Sequence, residues 1–181
     1  MKLLLLSLGL GLACALQDPE EVPVQPGFRP EEVEGPWQTL KLGATDRSVI
    51  EEGGAYRCFM TSIRNLGNGN MNVTYFHRNE HGKCVEEFFI GEKTDTPGLY
   101  TFEYKGKNTL TFVAVGSDFT IMDFQNDNLD LAVVELQVRP PSLSVSPPGQ
   151  EAYSKHLSRR GIGSDNTEDL TVQARCPSPG S

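Results

Sequence analysis

Basic clusters, histidine and long apolar runs are all scarce in this sequence, and each scarcity closes a class of function. No Lys/Arg run exceeds the pair Arg159-Arg160, and 16 basic residues stand against 24 acidic ones among 181, a net charge of −8. A nucleic-acid partner needs a cationic face to meet its phosphates, so that class is excluded. The three histidines, His77, His81 and His156, offer no metal-ligand spacing, because the pair four apart falls on an expected turn rather than a helix. Neither a Gly-rich phosphate loop nor a G-x-S-x-G elbow stands out, so no metal and no cofactor is expected. The one long apolar run, Leu3 to Leu12, is far short of the roughly 20 residues that span a bilayer, and no membrane insertion is expected.

That run has a different reading. Lys2 precedes it and Ala13-Cys14-Ala15 follows with the small-x-small pattern of a cleavage site, so residues 1–16 read as a signal peptide and the protein as secreted. Its removal leaves 15 basic against 24 acidic residues, a charge of −9, and three cysteines, Cys58, Cys84 and Cys176. In an oxidising compartment two of these pair and one stays free, and the sequence alone permits three pairings.

Residues 17–34 carry four Pro and six acidic residues with no apolar period, the composition of a loosely tethered leader. From Gly35 onward, alternating or β-branched segments occur at about 36–43, 55–64, 70–78, 84–91, 99–105, 108–115, 118–124 and 131–138. The short connections between most of them carry Gly in polar surroundings, as tight antiparallel turns require, and predict a meander of neighbouring strands. The connection from Ala44 to Gly54 is too long for a tight turn and has to cross an opening or an edge. Pro140-Pro141 stops the ladder, and Ser146-Pro147, the face Tyr153/Leu157 and Gly161 predict a helix to about Arg160. An extended piece follows at 169–173. Closing eight meandering strands into a barrel removes both sheet edges, so the expected fold is all-β: an eight-stranded antiparallel up-and-down β-barrel with one C-terminal helix packed on it. A β-sandwich would need crossover connections, which are absent.

On these residues the chain resembles the lipocalin family. Gly35-Pro36-Trp37 matches its G-x-W motif, Met122-Asp123-Phe124 stands where T-D-Y is usual, and Arg139 ends the last strand. The resemblance makes 35–177 the lipocalin domain and 178–181 a disordered tail. It implies that Trp37 and Arg139 stack across the closed end of the barrel. The Met and Phe at the second motif remove hydroxyls and put the local hydrogen bonding in question. Glu51-Glu52-Gly53-Gly54, Asn72 to Phe76, Cys84 to Phe88, Tyr104 to Asn108 and Ala174 to Pro177 resemble the odorant- and pheromone-binding branch, in which the fourth-strand cysteine pairs with the C-terminal one, here Cys84 with Cys176.

The strand parity that the family fold implies turns Tyr56, Cys58 and Met60 of the second strand inward, with Val73 and Tyr75 of the third and Phe102 and Tyr104 of the fifth. Asn108, Leu110 and Phe112 of the sixth, Met122 and Phe124 of the seventh and Val134 of the eighth complete the lining. Such a wall suits a small hydrophobic molecule, with Asn108 and the Tyr56, Tyr75 and Tyr104 hydroxyls as polar handles. Three readings follow. The first is a carrier without chemistry; the second is a prostaglandin-type isomerase using Cys58, helped by a hydroxyl of Thr61, Ser62 or Tyr75. The third is an interaction protein whose outer surface meets a cell-surface receptor. The free Cys58 thiol leaves monomer and dimer both open. Asn72-Val73-Thr74 is a glycosylation acceptor with Asn72 on the outward parity.

Overall fold

Ten antiparallel strands and one α-helix organise the computed structural model, which describes residues 21–172, 175 and 176. The strands are β1 (Gly35–Pro36), β2 (Gln38–Ala44), β3 (Phe59–Asn65), β4 (Met71–Arg78), β5 (Cys84–Lys93), β6 (Leu99–Glu103), β7 (Lys107–Val115), β8 (Phe119–Asn126) and β9 (Leu131–Val138), followed by α1 (Pro147–Arg159) and β10 (Thr167–Asp169). From β3 to β9 each strand pairs with the next, the meander expected from the turns, and the sheet order is β1-β3-β4-β5-β6-β7-β8-β9-β2-β10. The eight long strands are the eight expected ones; the two short ones lie at the seam. The segments proposed as signal peptide (1–16) and tail (178–181) lie outside the described residues.

Closure comes from β1 and β2, which are one run of chain broken at Trp37. β1 pairs with β3 through Gly35↔Ile63, and β2 pairs with β9 through Gln38↔Val138. The same stretch therefore satisfies both edges of the meander, and Trp37 N donates to Thr61 O at 3.0 Å across the seam. At that break the Arg139 guanidinium lies 3.7 Å above the Trp37 ring. It donates to Pro36 O at 2.9 Å and Glu32 O at 3.1 Å, while Trp37 Nε1 donates to Val33 O at 2.7 Å. Gly35 has φ +108, which a side chain would strain, and a Cβ there would also crowd Arg139 Nη1 at 3.2 Å, so both the backbone and the stack favour glycine at this position.

Two apolar layers result. Trp37, Leu42, Val73, Leu110, Phe112, Met122 and Val133 belong to the layer inside the barrel. Leu40, Ile121, Val134, Leu136 and Tyr153 form another between the barrel wall and α1. Gly43 lets the helix approach, since a Cβ there would meet Leu157 Cδ2 at 2.5 Å. The middle motif supplies the anchor. Asp123, 1% exposed, accepts from His156 Nε2 at 2.6 Å and from Arg160 Nε and Nη2 at 2.7 and 2.6 Å. Burial would push its carboxyl up, but the Arg160 and His156 hydrogen bonds and charges hold it below the ordinary carboxylate value. Met122 and Phe124 face the interior, so the hydroxyls missing from this motif do not weaken the helix anchor.

Three expectations need correction. The acidic leader is ordered from Glu21 on: Gln25 N donates to Phe112 O at 2.8 Å, and Phe28 and Val33 are buried. Composition misses this because two apolar side chains suffice to hold a segment whose charges stay in water. Residues 55–58 lie outside β3, because Tyr56 N bonds Val49 O at 2.7 Å within the long connection instead of pairing with β4. The late extended piece is 167–169, where Thr167↔Gly43 pairing fixes it.

Cys84 is bonded to Cys176, 92 residues apart with Cα atoms 5.6 Å from each other, and Cys58 is free. A loop of that length restricts the unfolded chain by about 4–5 kcal/mol on the entropy model. Arg139→Met keeps the aliphatic stem over Trp37 but removes the charge and both carbonyl bonds. Urea unfolding is expected to show a loss of about 2 kcal/mol, and an unchanged midpoint would mean that the stack contributes nothing to closure.

Candidate ligand-binding site

The inward parity of β3, β4, β5 and β6 opens onto a cavity of about 330 Å³, near the lower end of the roughly 300–1,000 Å³ typical of small-molecule sites. Its wall contains Tyr56, Cys58, Met60, Val73, Tyr75, Phe102, Tyr104 and Phe124, eight of the thirteen residues expected there. Phe89 stacks on Phe102 with centroids 4.0 Å apart, and Phe124 meets Phe102 edge-on at 6.0 Å. The long connection crosses this end of the barrel. It is pinned by Tyr104 Oη donating to Ala55 O at 2.8 Å and Tyr56 Oη donating to Asn108 Oδ1 at 2.9 Å.

Five expected residues sit elsewhere. Leu110, Phe112 and Met122 do face inward, yet they belong to packed core rather than cavity wall. Phe28 of the leader stacks on Phe112 at 4.9 Å and fills that end. Asn108 is bonded at both ends of its amide: Nδ2 donates to Tyr104 O at 2.7 Å and Gly106 O at 3.1 Å while Oδ1 accepts from Tyr56. Val134 points the other way, packing with Tyr153 under α1, because the inward residues of β9 are Leu131, Val133 and Glu135. That strand is buried on both faces, so its hydrophobicity carries no parity.

The tyrosine handles are also taken. Tyr56 and Tyr104 bond as above, and Tyr75 Oη donates to Glu87 Oε2 at 3.4 Å. Polar groups not anticipated replace them: His77, Glu87, Glu103 and Glu135 join the wall. His77 lies on β4 rather than at a hairpin tip, with Nε2 3.1 Å from Glu87 Oε2. Its position was legible, since 73, 75 and 77 share one parity. Glu135 had a weaker signal, being the acid that alternates with Gln137 in an otherwise apolar strand.

Glu135 is 6% exposed and accepts from Gln137 Nε2 at 2.6 Å. Burial pushes its carboxyl up to about 8, with the Gln137 bond opposing. Burial likewise pushes up the Cys58 thiol, and the charges acting on it, Glu135 and Glu87, push the same way. Thr61 and Ser62, considered as partners for that thiol, line an outer groove of about 700 Å³ instead. Asn72 borders the same groove, its Oδ1 accepting from Thr74 Oγ1 at 3.0 Å.

The lipocalin / cytosolic fatty-acid binding protein family model matches residues 34–174. The chain is 33% identical over 180 residues to major urinary protein 20 of Mus musculus, covering 97% of each. Among solved structures, a bovine odorant binding protein (a deswapped triple mutant) is similar with TM-score 0.70 and 25% identity, over 82% of this chain and 99% of that one. The possum milk whey lipocalin trichosurin with bound 4-ethylphenol aligns at TM-score 0.71 and 25% identity, over 80% and 99%.

A native Glu135 that keeps its proton to pH about 8, against 4.5 as the ordinary value, binds more protons than the unfolded chain between those values. Stability from this group therefore falls as pH rises through that window and levels off above it. Glu135→Gln is expected to match wild type near pH 4.5 and exceed it by roughly 4 kcal/mol at pH 8, measured by urea unfolding. A constant difference across pH would show a carboxyl that titrates normally.

Proposed function

The chain belongs to the lipocalin family, and we propose that it is a secreted carrier that takes up a small, largely apolar molecule reversibly and performs no chemistry on it. The observation that carries this reading is the cavity with its stacked Phe89–Phe102 wall, in a barrel like one that holds 4-ethylphenol. Burial of apolar ligand surface at about 25 cal/mol per Å² supplies the affinity. Odorants and pheromone-like volatiles are of the right size and polarity. Tyr56, Cys58, Met60, Val73, Tyr75, Phe102, Tyr104 and Phe124 are the residues assigned to contact it.

The state of Cys58 favours carriage over isomerisation. A nucleophilic cysteine is a thiolate held by a neighbouring cation, whereas desolvation above all keeps this one as a thiol, and the acids Glu135 and Glu87 act in the same direction. Secretion is supported by the Leu3–Leu12 run and by the Cys84–Cys176 bond. A glycan on Asn72 would project from the outer face, away from the cavity, where the Thr74 hydroxyl already meets the acceptor side chain.

Delipidated protein is expected to take up N-phenyl-1-naphthylamine saturably at one site, read by its fluorescence. Absence of saturable uptake would remove the carrier reading. Wild type and Cys58→Ala are both expected to leave a prostaglandin endoperoxide unconverted above the uncatalysed rate; turnover that vanishes in the variant would establish the isomerase instead.

A further inference from the structure

Fifteen residues line the cavity, and the charge they bring is of one kind: Glu87, Glu103 and Glu135, with no Lys or Arg. Glu87 and Glu103 are exposed at the mouth, whereas Glu135 is buried. One Glu135 oxygen, Oε2, accepts from Gln137; Oε1 has no hydrogen-bond partner among the described residues. Gln137 Oε1 is itself buried and unpartnered. A carboxyl buried in an apolar wall with one hydrogen bond to Gln137 is costly to ionise there, and a cation arriving in the cavity would offset that cost.

We propose that the ligand of this cavity is a small amine: an apolar or aromatic body that lies against the Phe89–Phe102 stack and carries one basic nitrogen, whose ammonium meets the Glu135 carboxylate. The inference rests on the carrier reading and narrows it to a ligand class. A ligand ending in a carboxylate is disfavoured, because it would meet three acidic side chains and no Lys or Arg in the wall. A neutral alcohol gains only the apolar contact and one ordinary hydrogen bond.

Binding displaces a proton. In the empty cavity Glu135 holds its proton to pH about 8, and the arriving ammonium stabilises the ionised form, so the carboxyl proton passes to solvent as the ion pair forms. The other titratable groups around Glu135 do not supply that proton. Burial pushes Cys58, Tyr75 and Tyr104 up, and each is already neutral at pH 7. Tyr153, on the α1 side of the wall, is pushed up by burial and by Glu135, and His77 lies with Nε2 3.1 Å from Glu87 Oε2.

The test is competition of 2-phenylethylamine, 2-phenylethanol and phenylacetate against N-phenyl-1-naphthylamine at pH 7, with calorimetry in two buffers of different ionisation enthalpy. The amine is expected to bind at least about tenfold tighter than the alcohol, the gain of one charge-assisted hydrogen bond, and the acid at least about tenfold weaker. Calorimetry is expected to show nearly one proton released with the amine and none with the alcohol. Glu135→Gln, its fold checked by circular dichroism, is expected to cut the amine-over-alcohol preference to below about twofold and to abolish the proton release. Equal binding of amine and alcohol by wild type overturns the inference and leaves the carrier standing. Failure of the probe and all three ligands to bind overturns both. Should the variant misfold, amine binding by wild type without proton release is enough to reject Glu135 as the partner.

Discussion

Everything in this molecule depends on one stretch of chain serving both edges of a sheet. A meander of seven strands leaves two rows of unpaired amides and carbonyls, and the run from Gly35 to Ala44 meets both, bending at Trp37 to do so. The bend is held by the Arg139 guanidinium, which covers the indole and ties two carbonyls from the chain leading into it. Closure creates an inside, and only then does strand parity acquire a meaning for binding. A glycine at 35, an aromatic at 37 and a cation at 139 are thus one device spread over a hundred residues.

The inside is divided rather than uniform. At one end the leader inserts Phe28 onto Phe112 and the interior is packed solid. At the other the long connection crosses the mouth, fastened by Tyr56 and Tyr104, and space remains. The tyrosines that looked like ligand handles serve as fasteners, so the polar chemistry facing the cavity falls to carboxyls. Their number, with no Lys or Arg in the wall beside them, gives the pocket an acidic character that its apolar composition conceals.

Much of the cavity wall was readable once the resemblance to the lipocalins set the strand parity: eight of the thirteen expected lining residues border the cavity. The failures have separate causes. Val134 sits on a strand buried by the cavity on one side and α1 on the other, so burial on both faces erased the pattern that sets parity. Leu110, Phe112 and Met122 face inward correctly but meet a plug supplied by a segment whose composition looked disordered. Asn108, expected as a polar handle, lies in the interior but is bonded within the protein, and its three partners come from turns and a loop that no periodicity describes.

By itself the sequence determined the strand segments, the meander, the helix and the barrel, since those follow from local alternation, turn chemistry and the need to cover sheet edges. The resemblance to a known family added the Cys84–Cys176 pairing. Only the tertiary structure decided how large the cavity is, which strand face Glu135 occupies and which hydroxyls are already bonded. Those are questions of contact between segments far apart in the chain, and a pattern with a period of two residues holds no record of what lies opposite.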